Sequence, residues 1–104
     1  MWIETVVCSA RKGRSARLRR LLEARQALKK RCDGCTSAWV APAVSEKNLF
    51  LVQAIFADEK SWRLASERVV AELDSKDGGI EPELVGPPLV GMFQIDEDDL
   101  ESSK

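Results

Sequence analysis

Residues 49–56 read Leu-Phe-Leu-Val-Gln-Ala-Ile-Phe, apolar in both alternating phases, with Gln53 the only polar member. Successive side chains of a strand point to opposite faces of its sheet, so a strand of this composition shows hydrocarbon to both sides and needs cover on both. The segment 2–9, carrying Ile3, Val6 and Val7, has the same two-faced character. The rest of the chain supplies only two good helices, enough to roof one face. The other face is therefore expected to be buried by a second copy of the chain, which makes homodimerisation through the sheet the first expectation.

The helices follow from apolar spacing. After the basic turn Arg11-Lys12-Gly13, a helix should begin near residues 13–15 and run to about Arg31, with Leu18, Leu21, Leu22 and Leu28 on one stripe. Lys29, Lys30 and Arg31 suit the negative end of its dipole, and Gly34 is the expected left-handed stop. A strand over residues 36–41 follows, with Pro42 ending it or marking a sheet edge. Asp58 is the natural N-cap of a second helix whose stripe is Trp62, Ala65, Val69 and Leu73 and which Asp77-Gly78-Gly79 closes. A proline-bearing loop leads to a last strand over residues 89–95, and residues 96–104 read as an acidic disordered tail. The order strand, helix, strand, strand, helix, strand is the ferredoxin-like βαββαβ arrangement of the α+β class, one domain over residues 1–95. It predicts an antiparallel four-stranded sheet with both helices on one face.

At 104 residues, with 44% hydrophobic and 32% charged side chains, the chain reads as one soluble globular domain. No apolar run approaches the roughly 20 residues that span a bilayer, and residues 1–10 lack the pattern of an export signal, so a cytoplasmic protein without membrane contact is expected. Histidine is absent, which removes the usual general base near neutral pH and the commonest metal ligand. Ten of the 16 basic residues fall between Arg11 and Arg31. No aromatic residue interleaves with them to stack on bases, so a solvated helix face is expected in place of a nucleic-acid site.

From residues 2 to 95 the chain resembles the dimeric α+β barrel superfamily, in particular its antibiotic-biosynthesis-monooxygenase-like group. The resemblance rests on the strand ending in Arg11-Lys12-Gly13, the helix closed by Asp33-Gly34-Cys35, and the passage Phe56-Ala57-Asp58-Glu59-Lys60-Ser61. It implies two sheets packed face to face into a barrel across a dimer, and a ligand cavity in each subunit between helices and sheet. Members include cofactor-independent monooxygenases, haem-degrading enzymes and proteins of no known reaction. Haem-degrading members carry Asn, Trp and His where this chain has Val6, Phe56 and Ala65 or Ser66, so that triad is absent.

Arg25 is the most unusual residue, because its spacing from Leu18, Leu21 and Leu28 places it within the apolar stripe. A buried guanidinium needs a partner, either the anionic group of a ligand or an internal acid such as Glu4, unless its stem snorkels out. Trp62 and Ser66 fall on the buried face of the second helix and either line the cavity or belong to the core. Gln53 either orients a ligand or bonds across the dimer barrel, and Trp39 either meets the ligand or fills the dimer interface. Cys8 reads as a small core hydrophobe. Cys32-Asp33-Gly34-Cys35 has redox spacing but closes a helix, where the dipole opposes a thiolate, and a zinc site would lack further ligands.

These residues lead to a small-molecule-binding homodimer resembling cofactor-independent monooxygenases, whose ligand is hydrophobic and partly anionic. Arg25, Trp62, Ser66, Gln53 and Trp39 are the ligand candidates. No catalytic residue, metal or cofactor is assigned. The competing expectation is a non-catalytic dimer, binding a metabolite or a protein, whose pocket is filled by its own side chains.

Overall fold

The computed structural model describes residues 1–96 and 98–99. Strands β1 (Trp2–Ser9), β2 (Cys35–Pro42), β3 (Leu49–Phe56) and β4 (Leu89–Gln94) form one sheet in the order β2-β3-β1-β4. Every pairing is antiparallel. Helix α1 (Ser15–Lys30) connects β1 to β2, and α2 (Glu59–Val69) leaves β3. This is the ferredoxin-like arrangement expected. The acidic tail expected over residues 96–104 falls largely outside the described residues.

Alternation divides the sheet into two faces. Glu4 and Cys8 of β1, Ala38 of β2, and Phe50, Val52, Ala54 and Phe56 of β3 are all buried under the helices. One cluster joins Leu18 and Leu22 of α1 to Cys8, Phe50 and Val52, and a second joins Ala65 of α2 to Ala38, Ala54 and Phe56. Full burial of side chains such as Leu18 and Phe56 contributes roughly 1.5–3 kcal/mol each. The opposite phase forms cross-strand rows on the other face: Phe93-Ile3-Ile55-Ser37, Gly91-Thr5-Gln53-Trp39 and Leu89-Val7-Leu51-Ala41. Among the described residues no element lies over them. Trp39, Phe93 and Leu89 remain 38%, 56% and 74% exposed.

Several boundaries move for local reasons. β2 begins at Cys35, because a register shift between Cys35 and Ser37 sets two residues against one and lets the strand start earlier. Pro42 is tolerated because β2 is an edge strand. Gly34 does not cap α1 directly: the helix ends at Lys30, with Arg31 still right-handed, and Gly34 (φ 86°) instead shapes the turn from Cys32 to Cys35. Asp58 caps α2 as expected, accepting from Ser61 N at 2.8 Å. The helical path then widens into a π-helical segment, Val70–Asp74, and ends in one α turn, Ser75–Asp77, which Gly78 closes with φ 84°. The wider turn changes the helix phase after Val69, so Leu73 is only half-buried while Asp74 and Asp77 come round toward α1.

The proline-bearing loop is also ordered by charge. It holds a 3₁₀ turn, Glu81–Glu83, and Leu84 bridges to Ala10. The buried Glu83 meets Arg14 and Arg17 at 3.6 and 3.4 Å, and Arg11 Nε donates to Leu84 O. Part of the basic run thus fastens a loop over the end of the core.

Two glycines separate backbone strain from contact. Gly13 and Gly34 both have positive φ, but a Cβ on Gly13 would meet nothing within 4 Å, whereas one on Gly34 would lie 2.1 Å from Ser61 Oγ. Gly13→Ala is expected to cost about 1–2 kcal/mol from the left-handed backbone alone, and Gly34→Ala about 2–4 kcal/mol with the clash added. Urea unfolding of the two variants checks this; equal losses would mean that the Gly34 turn shifts freely away from α2.

Candidate functional site

The space between helices and sheet is organised around Glu4, at the centre of β1. Its strand phase points it toward the helices, where it is 8% exposed. Such a carboxylate needs compensation. Lys29 of α1 donates to Oε1 at 2.6 Å, and the indole Nε1 of Trp62 on α2 donates to Oε2 at 2.9 Å. One carboxylate thereby ties the first strand to both helices. The Trp62 ring is set in turn against Trp2, with centroids 5.7 Å apart and planes tilted by 33°. The Trp2 indole N–H is enclosed without a hydrogen-bond partner among the described residues.

Arg25 lies in the apolar stripe of α1 as its spacing requires and is 6% exposed. Its fork is filled from within the chain: the two terminal nitrogens donate to the two oxygens of Asp77 at 3.1 and 2.8 Å, and one also reaches Asp74 at 2.6 Å. The internal partner of Arg25 is therefore this pair of aspartates, and Glu4 is taken by Lys29. Burial works against the Arg25 charge, but its hydrogen bonds to Asp77 and Asp74 outweigh it and hold the guanidinium above its ordinary pKa. The same contacts, with the Gly79 N–H, hold the Asp77 carboxyl below its usual value.

The five candidate residues divide between two sides of the sheet. Trp62 and Ser66 share the half-buried inner flank of α2. Gln53 and Trp39 stand next to each other in register on the open face, and Gln53 Nε2 donates to Thr5 Oγ1 at 3.1 Å. Arg25 lies with the end of the second helical run and borders a cavity of about 410 Å³ with Val69, Gly79 and Ile80. A cavity of about 470 Å³ opens between the end of α1 and α2, lined by Cys32, Leu64, Ala65, Arg68 and Ala71. A smaller one, about 160 Å³, adjoins Trp2, Asp58 and Gln94.

Sequence spacing passed over Glu4 and Lys29 as site residues. The available signal was Glu4 itself, the one charge on the helix-facing phase Trp2, Glu4, Val6, Cys8. Lys29, read only as a complement to the helix dipole, is four residues beyond Arg25 and shares its buried flank. Chemically, the inner site offers an oriented indole and a carboxylate whose two oxygens are both occupied.

No family model and no curated protein matches the chain by sequence. Solved structures do match by shape. A provisionally named antibiotic biosynthesis monooxygenase from Deinococcus radiodurans superimposes with a TM-score of 0.79 at 17% identity, over 93% of this chain and 94% of that one. The chain has the antibiotic-biosynthesis-monooxygenase-like fold. SnoaB from Streptomyces nogalater, a cofactor-independent oxygenase solved as a mutant, matches with a TM-score of 0.73 at 13% identity, covering 92% and 93% of the two chains. Rv0793 from Mycobacterium tuberculosis matches at 0.70 and 17%, covering 93% and 98%. Identities this low establish the monooxygenase-like fold and leave the reaction to the residues of the site. Among the described residues no helix is long and apolar enough to cross a membrane.

The Arg25 cluster has a pH signature. A carboxylate whose pKa is lower in the folded than in the unfolded chain stabilises the fold above the unfolded value and loses that contribution as pH falls through the folded one. Asp77 starts from an ordinary value of 3.8 and is held below it. The stability gap between the wild type and Asp77→Asn should therefore be widest near neutral pH and narrow as pH falls below about 4. Denaturant midpoints measured down the acid range would show this; a constant gap would remove Asp77 from the acid response.

Proposed function

We propose that the protein works as a homodimer joined through the open face of its sheet and binds a small hydrophobic molecule beside Trp62 and Ser66 in each subunit. The observation that carries this reading is the bare apolar face, with Phe93, Ile3, Ile55, Val7 and Leu51 contiguous across three strands. A soluble domain rarely leaves such a surface to water. The Thr5–Gln53 pair in its middle supplies a polar contact that favours one register between two copies. Trp39 and Gln53 are then interface residues, and Trp62 is the wall on which a planar ligand rests. An anionic group on Arg25 would have to displace Asp74 or Asp77 from the fork, so the ligand we favour is neutral and aromatic at its bound end. The protein is expected to act in the cytoplasm.

A second reading is a non-catalytic dimer with a filled pocket. It is favoured by the occupied state of Glu4 and Arg25, whose charged groups are already paired within the chain. Cofactor-independent oxygenation, as carried out by SnoaB, would need the ligand itself to be reactive enough to proceed without a protein base.

Sedimentation equilibrium should give the mass of two chains, and Phe93→Asp, at an exposed position, should give a folded single chain. A monomeric wild type at micromolar concentration would remove the dimer. 2-Naphthol titrated into the dimer should quench tryptophan emission saturably, and Trp62→Phe should weaken binding about three- to tenfold. Absence of saturable binding would leave the filled-pocket reading in place.

A further inference from the structure

We propose that Cys32 and Cys35 form a reversible intrachain disulfide, in which Cys32 attacks a low-molecular-weight disulfide first and Cys35 then closes the bond. The two cysteines are the ends of one hydrogen-bonded turn: Cys35 N donates to Cys32 O at 3.2 Å, with Gly34 at φ 86° supplying the left-handed corner. Such a turn brings its terminal Cα atoms within about 7 Å, at the upper end of the roughly 4.4–6.8 Å that a disulfide spans. Both side chains pack on the same apolar cluster, against Ala38, Ala54, Phe56 and Ala65, and both are free thiols of intermediate exposure. A disulfide is uncharged, so forming it there adds no buried charge.

The neighbourhoods of the two sulfurs assign the order. Cys32 lines the open cavity of about 470 Å³ between α1 and α2. Arg68, whose guanidinium also pairs with Glu72, donates from Nη1 to the Cys32 sulfur at 3.6 Å, and the Cys32 thiol donates to Leu28 O at 3.4 Å. Cys35 instead turns inward and donates to Ser37 O at 3.4 Å, and burial pushes its thiol above the ordinary range. Cys8 is enclosed in the core and takes no part. The turn is anchored from outside the pair, by Ala57 N donating to Gly34 O at 2.7 Å, so its backbone is held while either thiol reacts.

In chemical terms, the Cys32 thiolate attacks one sulfur of a small disulfide such as oxidised glutathione. The S–S bond of that molecule breaks, and one glutathione leaves as a thiolate that takes a proton from water. Cys35 gives up its proton to solvent and attacks the Cys32 sulfur, expelling the second glutathione. Two protein thiols are oxidised by two electrons and one glutathione disulfide is reduced to two thiols. Because the turn follows a helix C-terminus, whose dipole opposes thiolates, exchange is slow. The pair thus suits a redox-responsive modification of the α1–α2 cavity better than catalytic turnover. This bond does not depend on the dimer or on a ligand at Trp62.

The full-length protein is equilibrated in glutathione buffers of graded oxidised-to-reduced ratio, alkylated, and mapped by mass spectrometry, with far-ultraviolet circular dichroism to confirm that it stays folded. The expected result is an intrachain Cys32–Cys35 bond with the native spectrum kept. Cys35→Ser should accumulate glutathione on Cys32 roughly tenfold faster than Cys32→Ser accumulates it on Cys35. Should either variant fail to fold, timed iodoacetamide labelling of the wild type replaces the comparison, and Cys32 is expected to react before Cys35 and Cys8. No bond at any ratio in the folded protein, a bond formed only in denaturant, bonds between chains, or faster labelling of Cys35 would each overturn the proposal.

Discussion

The need to keep water from two apolar faces of a single four-stranded sheet governs the rest of this structure. Antiparallel order places β1 and β3 at the centre, where their two-faced hydrophobicity meets neighbours on both edges. The right-handed crossovers put both helices on one side, so their apolar stripes satisfy that side and leave the rows through Ile3, Val7, Leu51 and Ile55 uncovered by the described residues. A domain of this size buries a smaller share of its surface than larger proteins do, which makes an uncovered apolar face the more consequential.

The covered side is more polar than a simple core. Two ion-pair clusters lie beneath or beside the helices, one on Glu4 and one on Arg25. Desolvating such charges costs about as much as their attraction returns, so their principal effect is on specificity: a slip of α1 by one residue would strand both Lys29 and Arg25 away from their acids. The Trp62 bond to Glu4 has the same consequence for α2, and it sets the orientation of the indole. The π-helical segment after Val69 belongs with this arrangement, since it turns Asp74 and Asp77 toward Arg25.

Much of the fold was legible because it rests on local periodicity. The strand from Leu49 to Phe56, the stripe of α1, the Asp58 cap and the Gly78 stop all depend on residues within a few positions of one another. The site was less legible. Arg25 was recognisable as a charge in an apolar stripe, but its partners lie 49 and 52 residues away, beyond a π turn that no spacing rule announces. Glu4 reads in sequence as one polar residue in a strand. Its importance appears only when Lys29 and Trp62, 25 and 58 residues distant, converge on its two oxygens. Gln53 and Trp39 appeared compatible with the same pocket as Trp62 until strand phase and register placed them on the opposite face.

What the linear chain determined by itself was the set of elements, their order and the excess of apolar surface, because hydrophobic spacing and turn chemistry act over a few residues at a time. The tertiary structure alone decided which charges neutralise one another and which aromatic residues share a face. Those outcomes depend on register and helix phase, set by packing among segments far apart in the sequence, where a shift of one position turns a side chain from the core to the open sheet.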